Sequence, residues 1–419
     1  MKGENGKMKS DLEQTEIEAP YELPEGWKWE KWGNVGRFIA GNGFKEKFQG
    51  FTNYNIPFYK VGSLKFSDST GFLFDKTNTI NDEILQELKA TLIPENSIIF
   101  AKIGEAIRLN RRSINSVKCC IDNNLMAFLS ENCNYKYVFF WSKSIDLYKY
   151  TNATTVPAIR KSDLEKIPFP LPPTLAEQQR IVNRIESMFA KLDEAKEKAQ
   201  NVVDGFETRK AAILQKAFTG ELKIDNGKLK DEDWEETTLG NVIKLLSGQD
   251  FKPDDYNDSE NGIPYITGAS NFADNHVIIN RWTEKPTVIA QKNDVLLVCK
   301  GSGYGKTIIA DFSEAHIARQ IMALRPNKDI SNRFIYYLLQ NNYDYLRNGG
   351  QGLIPGIARN VVLSLPIKLP PFNYQLSIVN FLDSVLEKEH TAKQAAEAVL
   401  EQIDLLKKSI LARAFRGEL

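Results

Sequence analysis

The sequence predicts an α+β fold class: two mixed, strand-rich globular domains joined by two long helices that form an antiparallel coiled coil, in a pseudo-twofold repeat. Three observations predict it. The chain repeats itself at long range, each copy changes texture from strand-like to helical part-way along, and the helical parts carry a heptad stripe.

The repeat is clearest at the ends of the copies. KAAILQKAFTGEL (210–222) and KKSILARAFRGEL (407–419) share eight of 13 residues at an offset of 197. Upstream, IPFPLPPTLAEQQRIV (167–182) matches LPIKLPPFNYQLSIV (365–379) with one residue dropped. ENSIIFAKIG (95–104) recurs as KNDVLLVCKG (292–301), NLMAF (124–128) as QIMAL (320–324), and W-x5-GNV starts at Trp27 and again at Trp234. A period this long excludes a solenoid and means two duplicated units.

In chain order, residues 1–22 (polar MKGENGKMKSDLEQTEIEAP at their start) read as an N-terminal arm without an apolar signal core. Residues 23–172 and 223–371 read as the globular domains. Short apolar runs such as SIIFAKI, DVLLVCK and TIIADF, separated by Gly, Pro and Asn, have the texture of strands. YKYVFFWSKSIDLYKY (135–150) and NRFIYYLLQNNYDYLRN (332–348) have helical spacing, with aromatics expected in the core. Residues 173–222 and 372–419 read as the long helices, restarting after LPP. Their apolar seam falls at Ile181, Ile185, Met188, Leu192, Ala195, Ala199, Val202 and Phe206, in steps of 4 and 3. The second seam falls at Ile378, Leu382, Val385, Ala392, Ala396, Val399, Ile403, Leu406 and Ile410, with Glu389 the polar intruder. Seven acidic and seven basic residues between 177 and 210 leave the outer face neutral. About 35 residues at 1.5 Å each make a rod of about 50 Å, with a globular domain expected at each end.

Composition sets limits. The 419 residues are 42% hydrophobic and formally uncharged overall, so attraction to nucleic acid must come from local patches. No run of about 18 apolar residues occurs, so no membrane span is expected and the cytoplasm is the expected location. Cys119, Cys120, Cys133 and Cys299 follow no C-x-x-C spacing and His276, His316 and His390 are scattered, so no metal site is expected.

KGSGYGKT (300–307) fits the last three positions of the phosphate loop G-x-x-x-x-G-K-[ST] but has Lys300 at the first. A phosphate loop should lead into a helix, whereas IIADF reads as a strand. The same place in the first copy reads KIGEAIRL, with the glycines expected to be lost, which argues against an ATP site. No G-x-S-x-G or H-E-x-x-H occurs, and the LPP triplets lack the features of an adenine methyltransferase motif, so no catalytic residue is expected.

Basic, flexible loops remain. KIGEAIRLNRRSINSVK (102–118) sets Lys102, Arg108, Arg111 and Arg112, with Lys118, against one acid. The matching region of the second copy offers Lys300, Lys306 and Arg319 around Gly301, Ser302, Gly303, Tyr304 and Gly305. Glycine lets backbone N–H groups approach phosphates, and the cations release counterions. Asn123, Asn124, Arg319 and Gln320 are residue types that hydrogen-bond base edges. Two such loops at matching positions point to DNA.

PYELPEGW (20–27), IPFPLPPTLAEQQRIV, AFTGEL, AFRGEL and GSGYGKT together resemble the specificity subunit of Type I restriction-modification enzymes over nearly the whole chain. LPPFNYQLSIV departs from the pattern by losing the Glu of the EQ pair. The resemblance implies that each globular domain is a target recognition domain reading half of a bipartite, asymmetric site in double-stranded DNA. It implies that the helices set the gap and dock two methyltransferase subunits, and that restriction subunits join them. S-adenosylmethionine would then belong to the methyltransferase partner, and ATP and magnesium to the restriction partner, with no cofactor in this chain. The competing expectations are a coiled-coil protein scaffold that never touches DNA and a self-contained restriction or methyltransferase polypeptide.

Overall fold

The structure, a computed structural model, describes residues 19–152, 156–222, 234–273, 276–301, 303–348 and 356–419. The chain forms two compact units, residues 1–200 with 398–419, and residues 201–397. The boundary between them falls within both long helices, so neither helix is a body separate from the globular domains.

In the first unit, strands Gly36–Ala40, Leu125–Ser130, Ile98–Ala101 and Arg112–Ile114 lie in that order in an antiparallel sheet. The unbroken apolar run IIFA is the third of these and every residue of it is buried, as expected of a strand covered on both faces. Ile56–Tyr59 pairs in parallel with Cys120–Ile121 in a second sheet. Helix Tyr135–Ser144 starts where the Asn134 side chain accepts the amide N–H groups of Lys136 (2.9 Å) and Tyr137 (3.3 Å). Its aromatics are core: the rings of Trp141 and Trp32 lie 4.9 Å apart and those of Trp141 and Phe169 4.7 Å apart, both edge-on. The same core takes in Ile181, Val182, Ile185 and Phe189 from one long helix and Ile410, Leu411, Ala414 and Phe415 from the other.

The arm is shorter than expected. Residues 1–18 lie outside the described residues, but Tyr21 is packed within the first unit. Its hydroxyl donates to the Phe415 carbonyl (3.0 Å) and its ring stands edge-on to Trp29 at 4.9 Å. An aromatic residue two positions inside the assumed boundary has apolar area to bury, and the C-terminal turn receives it.

The second unit repeats the topology. Ile243–Ser247, Ile321–Pro326, Val295–Val298 and Thr307–Ile309 form the same four-stranded order, and Ile263–Ile266 pairs in parallel with Glu314–Ile317. Each unit also closes with a short antiparallel pair leading to its long helix: Lys28–Lys31 with Pro168–Leu171, and Glu235–Thr238 with Pro366–Leu369. Here His316 is fully buried and stacked on Phe251 at 4.1 Å. Its Nδ1 accepts the amide N–H groups of Thr287 and Val288 and its Nε2 donates to the Gln249 carbonyl. Burial lowers its pKa, so it is a neutral structural residue.

The first long helix is Leu175–Asp204 followed by Phe206–Phe218, and the second is Phe372–Ala414. Within the first unit they run antiparallel, as the pairs Arg180 with the Leu419 carbonyl (3.0 Å) and Asp193 with Lys407 require. Within the second unit, Arg209–Glu389 (2.8 Å) and Phe206 against His390 fix the same direction. Gly205 keeps helical hydrogen bonds on both sides, and a Cβ there would lie 2.4 Å from Arg209 Nη1. Its lack of a side chain lets Arg209 fold back onto the Val202 carbonyl (2.9 Å) and reach Glu389, the polar intruder in the seam.

The seam is only partly as read. Ile181, Ile185, Ala199, Ile378, Leu382, Ala396, Ile403 and Ile410 are buried, whereas Met188, Leu192, Val202, Phe206 and Val385 are half-buried. Val399 (41% exposed) and Leu406 (48%) face solvent, which corrects their assignment to the interface. In the segment 398–419 the buried row is Ile403, Ile410, Leu411, Ala414 and Phe415. That wide 3.6-residue face serves a partner helix and a globular core together, and the 3.5-residue seam alone does not describe it.

Candidate nucleic-acid interface

The loops singled out in the two copies sit on one backbone frame, built twice. Asn42 N–H donates to the Ile121 carbonyl and Gln249 N–H to the Ile317 carbonyl, both at 2.9 Å. Lys102 N–H donates to Asn124 (2.9 Å) and Cys299 N–H to Gln320 (2.7 Å). The tight turns close through Leu125 to Asp122 (3.1 Å) and Ile321 to Ala318 (2.8 Å). Where the strands cross, a Cβ on Gly41 would sit 1.9 Å from the Asp122 carbonyl oxygen and one on Gly248 2.1 Å from that of Ala318. Only glycine permits either crossing. The frame therefore equates Gly43 with Asp250, Asn123 with Arg319, and Asn124 with Gln320.

In the first unit the basic stretch divides into exposed and buried parts. Arg111 is exposed with no ion pair among the described residues, and Asn123 is exposed. Arg108 is exposed but held: it pairs with Glu105 (2.7 Å), hydrogen-bonds the Tyr148 hydroxyl and lies 3.7 Å over that ring. Lys102 and Asn124 are half-buried, their backbones joined in the frame. Arg112 corrects the reading. It is 5% exposed, its Nη1 and Nη2 donate to the Arg111 carbonyl (3.0 Å) and Asn110 (2.9 Å), and it lies 5.4 Å over Phe100. Burial pushes its pKa down to about 9, with Asp146 opposing, so it stays cationic at neutral pH as a structural strut. A run of basic letters does not show which of them the strand turns inward.

In the second unit the last residue of KGSGYGKT opens strand Thr307–Ile309, which pairs antiparallel with Val295–Val298, so a strand and not a helix follows the glycines. Part of the loop's backbone is committed: the N–H groups of Tyr304, Gly305 and Lys306 donate to the carbonyls of Gly301 (3.2 Å), Val298 (2.7 Å) and Gly303 (3.1 Å). Those three N–H groups are therefore not free to approach phosphate. Gly305 has φ +90°, and a Cβ on it would lie 1.9 Å from the Tyr343 ring, so the glycine serves the turn. The glycines are not all lost from the first copy either, because Gly104 (φ +82°) matches Gly301 (φ +88°). Tyr304 is half-buried against the core of the unit, Gly303 is half-buried, and Ser302 lies outside the described residues. Lys300 and Lys306 are exposed with no ion pair among the described residues. Arg319 is exposed, with Nε 2.6 Å from Asp250. Gln320 is half-buried; with its amide assigned so that nitrogen and not oxygen faces the carboxylate, it donates to Asp250 and to the Thr267 carbonyl, both at 3.2 Å.

The thiols of Cys119 and Cys120 are buried, which pushes Cys120 up to about 12 and Cys119 higher still. Among the described residues no three His, Cys, Asp or Glu converge on a metal position. No helix among them is long and apolar enough to cross a membrane.

What decides the family is a double match: the model of the Type I restriction modification DNA specificity domain fits residues 24–203 and again 231–402. The chain belongs to this family. It is similar to the type I restriction enzyme MjaX specificity subunit of Methanocaldococcus jannaschii, 25% identical over 424 residues and covering 95% of each chain. The EcoBI specificity subunit of Escherichia coli is 26% identical over 299 residues, 64% of this chain and 62% of that one. In fold the chain resembles a chain of the type I R-M system solved for its complex assembly and conformational transition (TM-score 0.72, 21% identity, 96% of this chain and 100% of that one). It also resembles the HsdS subunit of Thermoanaerobacter tengcongensis (TM-score 0.69, 23% identity, 96% and 100%).

For a DNA specificity chain, the residues that sequence reading missed are those that fix each long helix to its domain. Buried Gln178 accepts the Asn134 N–H (2.8 Å) and buried Gln375 accepts the Ser331 N–H (2.9 Å), each at the start of the aromatic helix of its unit. Lys136–Glu186 (2.7 Å) and Arg333–Asp383 add an ion pair in each unit. All four pairs of positions (134 and 331, 136 and 333, 178 and 375, 186 and 383) obey the 197 offset, and that was the available signal. The Glu lost from the EQ pair is Glu177, which caps nothing and pairs with Arg180 on the surface (2.8 Å); the Gln is kept.

Proposed function

We propose that this chain is the sequence-reading subunit of a Type I restriction-modification assembly and that each unit reads one half of a split, asymmetric site in double-stranded DNA. One observation carries the reading: the same backbone frame occurs twice and presents different side chains, Gly43, Asn123 and Asn124 in one unit and Asp250, Arg319 and Gln320 in the other. Two identical frames with unlike rims suit two unlike half-sites. Exposed Arg111, Lys300 and Lys306 supply contacts to phosphate, which position the protein without reading sequence. The long helices set the spacing and carry two methyltransferase subunits, with restriction subunits added for cleavage. S-adenosylmethionine belongs to the former and ATP with magnesium to the latter. The chain works as a non-catalytic subunit in the cytoplasm.

The test is to co-express the full chain with its methyltransferase partner and map methylated adenines. One discontinuous motif with two different halves is expected. Methylation without a motif, or methylation unchanged when this chain is left out, overturns the reading. A protein scaffold without DNA readout would leave duplex binding and the extent of methylation unaltered when Arg111, Lys300 and Lys306 are replaced by Ala together, whereas loss of these phosphate contacts should weaken both without changing the motif.

A further inference from the structure

We propose that Arg319 reads a guanine in the half-site of the second unit and that Asp250 is its positioning residue. The inference rests on the DNA-reading function above and narrows it to one side chain and one base.

The geometry separates Arg319 from its basic neighbours. Asp250 accepts the Arg319 backbone N–H (Oδ1, 3.1 Å) and pairs with its Nε (Oδ2, 2.6 Å). One carboxylate thus holds both the root and the shaft of the arginine. The side chain is 68% exposed, and its Nη groups have no acceptor among the described residues. A guanidinium gripped at Nε keeps two parallel N–H groups at its far end, which match the O6 and N7 acceptors of guanine in the major groove. Fixing the rotamer beforehand lowers the entropy lost on binding.

The same carboxylate argues against a phosphate contact. A negative charge 2.6 Å from the guanidinium weakens attraction to another anion, and Lys300 and Lys306, without such a partner, suit that task. The frame itself limits the feature to one unit. Gly41 and Gly248 mark equivalent crossings, and two residues on stand Gly43 and Asp250. Asn123 occupies the place of Arg319 with no carboxylate facing it from position 43, so the first unit lacks this reader.

The experiment is selection from a randomised duplex library by the full chain with its methyltransferase partner, for the natural chain and for R319A, R319K and D250N. The natural chain is expected to select a two-part motif. R319A should lose one guanine column of one half and leave the other half intact, with binding to the natural motif falling about 5- to 150-fold. Binding to duplexes already lacking that guanine should not fall. D250N should weaken the preference in the same column, with the unfolding temperature and the other columns unchanged, and R319K should restore the column only in part. The proposal is overturned if R319A weakens every duplex by one factor, as a phosphate contact would, or if the column survives. It is also overturned if D250N alters columns elsewhere. A natural chain that selects no motif removes the DNA-reading function itself, a different result from a motif that is indifferent to Arg319.

Discussion

The two units share their backbone and differ in what hangs from it. Both have the four-stranded order, the glycine crossing, the buried glutamine and the ion pair to the long helix. They differ at the rim, where Gly43 and Asn123 stand against Asp250 and Arg319, and along the long helices, where half-buried Leu192 and solvent-facing Leu406 occupy the positions that Glu389 and Arg209 fill in the second unit. Backbone hydrogen bonds and glycine clearances tolerate little change, because a lost bond or a clash disturbs the whole sheet. A rim side chain can be exchanged at almost no cost to folding.

That contrast can be broken most strongly in the core. Trp141→Ala should destabilise the first unit by about 3–5 kcal/mol, and Leu338→Ala, at the offset position, should destabilise the second by about 2–5 kcal/mol. Hydrogen exchange should place each loss in its own unit. Exchange that rises equally in both would show that they fold as one.

The glutamines come next. Gln178→Ala leaves a half-buried N–H and Gln375→Ala a buried one without its acceptor, at about 1–3 kcal/mol in denaturant unfolding. The second should cost more, since Gln375 also donates to the Asp329 (2.8 Å) and Pro370 (3.0 Å) carbonyls, whereas the Gln178 amide meets only Cys133 Sγ at 3.9 Å.

Acid should separate the units too, because all three histidines lie in the second. Burial holds the pKa of His316 below its ordinary value, so the folded unit stays neutral there. Below about pH 6.5 the unfolded chain binds a proton that the folded unit refuses, and stability falls by at most about 1.4 kcal/mol per pH unit. Thermal unfolding between pH 7 and 5 should show this loss in the second unit and not in His316→Gln.

The smallest effect is expected in the seam. Arg209→Leu with Glu389→Leu copies the arrangement of the first unit and should change stability by less than about 1 kcal/mol, because the pair is partly exposed. Glu389→Leu alone should be worse than the double change, as measured by a double-mutant cycle.

The sequence showed much of the fold because the duplication doubled each signal. Apolar runs, the LPP restarts and the 197 offset mark strands and helices that the structure contains. It showed less of the site. Arg112 looked like its neighbours because a letter carries charge and not direction, and burial against Phe100 was decided by strand register. Asp250 escaped notice because its partner lies 69 residues away, beyond any local period. Val399 and Leu406 kept the seam's spacing but not its burial, since the helix there has two neighbours to cover and a heptad describes one.

The glycine crossings bear on how such a chain could acquire a new target. Gly41 and Gly248 cannot gain even a methyl group without pushing a carbonyl aside, yet two residues further on the chain already accepts glycine in one unit and aspartate in the other. On the proposed reading of the site, retargeting proceeds by exchanging the residues at 43 and 123 in one unit, or the Asp250–Arg319 pair in the other, on an unaltered chassis. Drift at the crossings themselves would abolish a unit before it could redirect it.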